Sequence, residues 1–236
     1  YAKLLKFTEA DYVFAPKVDL WDTLIEQMLV QKRALNEVVE TREHALACAK
    51  TVADRYRCNY EHANFLMETA CMIFDKIKTL HGLNPSYKLL LEIAAILHDC
   101  GYFINSKHHL NSNVDIVKYT DIYGLTDKTT LITAYISRFA ESETPNYRDA
   151  EFASLKGSEK IIALKLAAIF RLANSLDKSQ KQKLQSVKVR LDEDKFIITA
   201  KSDSNTRLEH WAFEKCSAFF QEVFGVQPVL TVKSSL

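Results

Sequence analysis

Apolar positions in most of this chain recur at steps of three and four residues, the spacing of helices that bury one face. Between Thr41 and Tyr56, Ala45, Ala49 and Val52 share about one face and predict a helix. Asn59 suits the capping position of the next, where His62, Leu66, Thr69 and Ile73 form one stripe. Gly82, with Asn84-Pro85 just beyond, ends that helix and restarts the chain. The run Leu89–Leu97 is apolar nearly all round, which predicts a fully buried helix. Helices are also expected over Asn111–Asp121 and Asp127–Phe139, with a loop over Glu141–Tyr147 around Thr144-Pro145. Ser158 opens another long, central helix that runs through Ile161, Leu166, Ile169, Phe170, Leu172 and Leu176.

The period then changes. After the polar, basic stretch Lys178–Lys183, Val187, Val189 and Leu191 alternate with polar residues. Phe196, Ile198 and Ala200 do the same beyond the turn Asp192-Glu193-Asp194, so two strands are predicted. Leu208, Trp211, Ala212, Cys216, Phe219, Phe220 and Val223 give one more amphipathic helix, and Pro228–Val232 a closing strand. Upstream, Tyr12-Val13-Phe14 reads as a short strand, followed by Pro16 and a helix from Trp21 to Leu29. The fold class is therefore mainly α, a helical domain followed by a small α+β unit in the order β-β-α-β. Only 5 glycines and 4 prolines in 236 residues agree with helices joined by short connections. A formal charge of +1 supplies no global field for nucleic acid or membrane, so any anion site must be local. No apolar run approaches a membrane span. The five cysteines, Cys48, Cys58, Cys71, Cys100 and Cys216, show no CxxC spacing and read as reduced thiols of a cytoplasmic protein.

The chemistry concentrates at Leu97-His98-Asp99-Cys100-Gly101-Tyr102, where an apolar helix ends in an adjacent imidazole and carboxylate. Such a pair can place two ligands on one divalent metal. His62 precedes it, His108-His109 follow, and Asn174 and Asp177 close the later apolar helix. In this order the residues resemble the HD superfamily of metal-dependent phosphohydrolases. Longer phrases resemble something narrower: Phe14-Ala15-Pro16-Lys17-Val18-Asp19-Leu20-Trp21-Asp22, Glu61-His62-Ala63, Leu80-His81-Gly82-Leu83, the His98-Asp99 phrase through Ile104, and Phe170-Arg171-Leu172-Ala173-Asn174-Ser175-Leu176-Asp177-Lys178-Ser179. These, with Trp211-Ala212-Phe213-Glu214-Lys215, are similar to the C-terminal half of the exopolyphosphatase / guanosine pentaphosphate phosphohydrolase family.

That resemblance implies a remnant of an actin-like domain over 1–33, an HD-like helical domain over 34–180 and a small α+β domain over 181–236. It implies a catalytic half upstream and a homodimer. This chain's part would be non-catalytic, contributing binding of inorganic polyphosphate or guanosine pentaphosphate. Phosphate-cradling loops need clustered glycines, and those here stand singly at 82, 101, 124, 157 and 225. His62, His98 and Asp99 occupy three of the four core positions of an HD site, but the fourth is Asn174 where a carboxylate is needed, with Asp177 one turn on. The expectation is a degenerate site (His62, His98, Asp99, Asp177) with no tightly bound cofactor. A divalent metal retains a place there, and the parent enzyme is expected to use magnesium. Anion-binding candidates are Lys107, His108, His109, Arg171, Lys178, Lys181 and Lys183. Sequence-specific nucleic acid and membranes are not expected partners. The alternatives are a metal-dependent phosphohydrolase of a nucleotide or guanosine alarmone, and a pure dimerisation or regulatory module.

Overall fold

The computed structural model describes residues 40–141 and 149–234. The expected strand and helix before residue 34, and the 141–147 loop beyond its first residue, lie outside the described residues.

Helix α1 runs from residue 40 to 55 and buries Ala45, Ala49 and Ala53. Asn59 caps α2 (Tyr60–Lys76), its side-chain oxygen accepting the backbone N–H groups of Glu61 and His62. His62, Leu66, Thr69 and Ile73 all face inward, as their spacing requires. The helix does not run unbroken to Gly82. It ends at Ile77, and a separate turn, α3 (Lys78–His81), leads to Gly82 in the left-handed region. His81 fixes this corner: its Nε2–H donates to the Phe74 carbonyl at 2.9 Å, and its Nδ1 accepts the Leu83 N–H at 2.8 Å.

After a 3-10 turn (Pro85–Tyr87), α4 (Lys88–Leu97) buries every residue from Leu90 onward. Its apolar circumference has a geometric cause. Leu90, Leu91, Ala94 and Ala95 pack into one core with α2 and the later helices, while Ile93, Ile96 and Leu97 pack into a second with α1. The one carboxylate on this buried helix, Glu92, meets the Arg42 guanidinium in a two-pronged ion pair, 3.0 Å and 2.5 Å. Then come α5 (Cys100–Ile104), α6 (His109–Tyr119), α7 (Asp127–Glu141) and the short α8 (Ala150–Ser154). The long α9 (Gly157–Ser175) is buried almost continuously from Leu166 to Ser175.

The tail follows the expected β-β-α-β order: β1 (Gln185–Asp192), β2 (Lys195–Lys201), α10 (Arg207–Phe224) and β3 (Gln227–Lys233). β1 and β2 form an antiparallel hairpin with Asp192 opposite Lys195, and β3 joins β2 in parallel, so β2 is central. Phe196, Ile198 and Ala200 on β2 pack with Phe213 and Phe220 of α10, and these belong to the same core as Phe170 and Leu172 of α9. Among the described residues, no helix is long and apolar enough to cross a membrane.

Candidate functional site

Three helix ends bring the singled-out side chains together. His62 lies in the first turn of α2 and is 1% exposed. His98 continues the helical path just past α4, and Asp99 bridges to α5. The last turns of α9 add Asn174, and the chain beyond it adds Asp177, which is 0% exposed. One potential ligand atom from each of His62, His98 and Asp99 lies within 4.8 Å of the others.

Hydrogen bonds set the imidazole tautomers. His98 Nδ1 lies 2.8 Å from the Ala95 carbonyl, which can only accept, so Nδ1 carries the proton. His62 Nδ1 lies 2.8 Å from Asp177 Oδ2 and donates to it. In the neutral form of either ring the lone pair would therefore sit on Nε2. His98 presents that nitrogen to Asp99 Oδ1 at 3.2 Å. In that form two acceptors would face each other and repel, and a proton or a cation on Nε2 would relieve the repulsion. A carboxylate that holds a histidine's Nδ1–H is the usual means of aiming Nε2 at a metal or a reacting group.

Asp177 is the anchor of this arrangement. Its Oδ1 accepts the Gln182 backbone N–H at 2.8 Å, and its Oδ2 accepts the Gln182 amide at 2.7 Å as well as the His62 proton. Both oxygens are thus engaged behind His62. Asp99 Oδ2 accepts the Gln180 amide at 2.8 Å. Gln180 and Gln182 were not among the residues the sequence singled out. Both adopt left-handed backbone angles, φ 53° and 44°, and so fold the basic stretch after α9 back over the site. The polar, glutamine-containing composition of 178–183 was the available signal. The groove in front holds about 310 Å³ and is lined by His62, Asp99, Tyr102, Asn174, Asp177, Lys178, Ser179 and Gln180.

The anion-binding candidates divide. Arg171, Lys178 and Asn174 meet at a neighbouring cavity of about 180 Å³, where α10 adds Trp211 and Lys215, two residues that the reading of basic clusters passed over. The Arg171 guanidinium lies 5.5 Å from the centre of the Phe219 ring, and the Lys215 ammonium 4.2 Å from that of Trp211. Lys183 is turned elsewhere: it donates to the Asn205 carbonyl at 2.9 Å and faces the fully buried Glu209 carboxylate at 3.6 Å. Lys181 is exposed on the turn. Lys107 and His108 lie on the exposed loop before α6, and His109 stacks on Tyr102 at 3.8 Å, one ring away from the central groove.

A mainly helical domain with a buried histidine–aspartate cluster, closed by a β-β-α-β unit, is the class that fold and site define. The chain belongs to the Ppx/GppA phosphatase family: the family model for domain III, "Ppx/GppA phosphatase, domain III", matches residues 46–215. That stretch runs from α1 into α10 and includes every residue of the cluster. A comparison with curated proteins finds no match.

Proposed function

We propose that this chain is the substrate-holding, non-catalytic part of an exopolyphosphatase-like phosphatase, taking inorganic polyphosphate or guanosine pentaphosphate. The carrying observation is the pairing of a carboxylate-poor histidine cluster with an adjoining cationic cavity. Metal-assisted phosphoryl hydrolysis needs enough anionic ligands to hold an ion and acidify its water. Here the open side of the cluster carries Asp99 as its carboxylate and Asn174 as a neutral amide, while Asp177 is spent on His62 and Gln182. His62, His98 and Asp99 would hold a divalent ion weakly, and the ion would supply a polarised water and a phosphate contact. Arg171, Lys178 and Lys215 line the same cavity and supply the charge for successive phosphates of a chain. Homodimerisation and a catalytic half carried by another segment complete the reading and rest on the family alone.

Binding of a medium-length polyphosphate, followed by calorimetry at rising salt, tests it. Affinity should fall steeply between about 50 and 200 mM salt, and Lys178→Glu with Lys215→Glu should weaken it at least tenfold. Salt-independent binding would argue against a polyanion site. The second reading, a metal phosphohydrolase, is favoured by the His98–Asp99 geometry. Turnover of phosphate esters with manganese that vanishes in His98→Ala would establish it instead.

A further inference from the structure

Beside the histidine cluster, and unused by it, lies a pair of sulfurs. Cys58 Sγ and Cys100 Sγ stand 3.2 Å apart although 42 residues separate them in sequence. Cys58 sits between α1 and α2, immediately before the Asn59 cap; Cys100 opens α5, immediately after Asp99. The two sulfurs differ in access. Cys100 is 0% exposed, whereas Cys58 is half-buried and lines an open groove of about 470 Å³ with Tyr56, Arg57, Asn59, Asp99 and Tyr102.

We propose that Cys58 and Cys100 are a peroxide-sensitive thiol pair that closes to an intramolecular disulfide. The thiolate of Cys58, reached through the groove, attacks one oxygen of a hydroperoxide. The O–O bond breaks, Cys58 becomes a sulfenic acid, and the departing hydroxide or alkoxide takes up the proton that the thiol released on ionising and leaves as water or alcohol. The Cys100 sulfur then attacks the Cys58 sulfur, the S–O bond breaks, and the departing hydroxide takes the Cys100 proton to form water. Two thiols are oxidised by two electrons in all, and the peroxide is reduced by the same two.

The fold favours this pair over other fates of either sulfur. An S–S bond of about 2.05 Å requires the sulfurs to approach by roughly 1.2 Å, a rotamer adjustment for a residue between helices. Burial shields Cys100 from oxidant while leaving it in contact with Cys58, the arrangement of a resolving thiol beside an attacked one. Cys71, by contrast, is held in the thiol form, pushed up to about 12 by burial and the Glu92 carboxylate. The product would staple the residue before the cap of the His62 helix to the residue after Asp99. It would tie together two of the elements that carry the cluster.

The test uses the whole chain, reduced, exchanged into metal-free buffer and treated with stoichiometric hydrogen peroxide. Expected are an intact mass lower by two hydrogens, a Cys58–Cys100 cross-linked peptide in a non-reducing digest, and a melting temperature higher by roughly 5 °C or more, all reversed by dithiothreitol. Cys58→Ser, at a half-exposed loop position that folding tolerates, should abolish all three. Full alkylation of both cysteines after peroxide, a sulfinic acid at Cys58 beside a free Cys100, or the same mass loss in Cys58→Ser would each overturn the proposal.

Discussion

Gly101→Ala gives the sharpest test of how the His98-Asp99 corner is built. A Cβ placed at residue 101 would lie 2.0 Å from the His109 carbonyl oxygen, 2.9 Å from its carbon and 2.8 Å from the Asn113 backbone nitrogen. All three are main-chain atoms of α6, so no side chain can swing away. The first turn of α6 must move by about 1 Å, or α5 must tilt and carry Asp99 with it. Overpacking of this kind costs about 1–3 kcal/mol and more where backbone is involved, so about 3 kcal/mol is expected. Alanine regains up to about 1 kcal/mol of helix propensity, leaving a net loss of about 2 kcal/mol and a fall in melting temperature of roughly 4–8 °C. The sign matters most, because an unobstructed helical Gly→Ala normally stabilises. Gly157→Ala is the control, since nothing lies within 4 Å of a Cβ built there. Thermal unfolding of both variants beside the parent chain decides the matter. A Gly101→Ala chain that melts at or above the parent's temperature would refute the close approach of α5 and α6.

Asp177→Ala should cost about 3 kcal/mol in urea unfolding, because it strands the His62 Nδ1–H and the Gln182 N–H in a buried site; a loss below about 1 kcal/mol would remove Asp177 as the anchor. Burial holds the His81 imidazole below its ordinary value, and its Nδ1 is already committed to accepting from Leu83. The unfolded chain then takes up a proton near pH 6.5 that the fold resists. Stability at this residue is therefore complete above that pH and is lost as pH falls toward the lower folded value. Melting temperatures from pH 7.5 to 5 should show that decline and His81→Leu should flatten it; an unchanged slope in the variant would contradict the assignment.

Much of this molecule is legible from local pattern. Helical spacing marked the inward faces of α2, α4 and α9, Asn59 announced its cap, and alternation after Val187 announced the hairpin. These follow from backbone geometry and side-chain burial within a few residues, which a single segment carries in itself. That His62, His98 and Asp99 lie near one another was expected only through the family resemblance that their order carries; their ligand atoms fall within 4.8 Å of one another.

What only the tertiary structure decided lies in long-range choice. Asp177 meets His62 across 115 residues, and nothing near either one specifies that partner. Gln180 and Gln182 take left-handed angles that local preference disfavours for glutamine, held there by bonds to Asp99 and Asp177. Lys183, one of a basic run in the sequence, is drawn to a buried carboxylate on α10, whereas Lys215 joins Arg171 and Lys178 at one cavity. The break at Ile77 has the same origin, since the His81 ring bonds back to Phe74 and forward to Leu83 and turns the chain. Periodicity records which face of a segment is buried; it does not record which distant polar group waits there, because that depends on how separate elements pack.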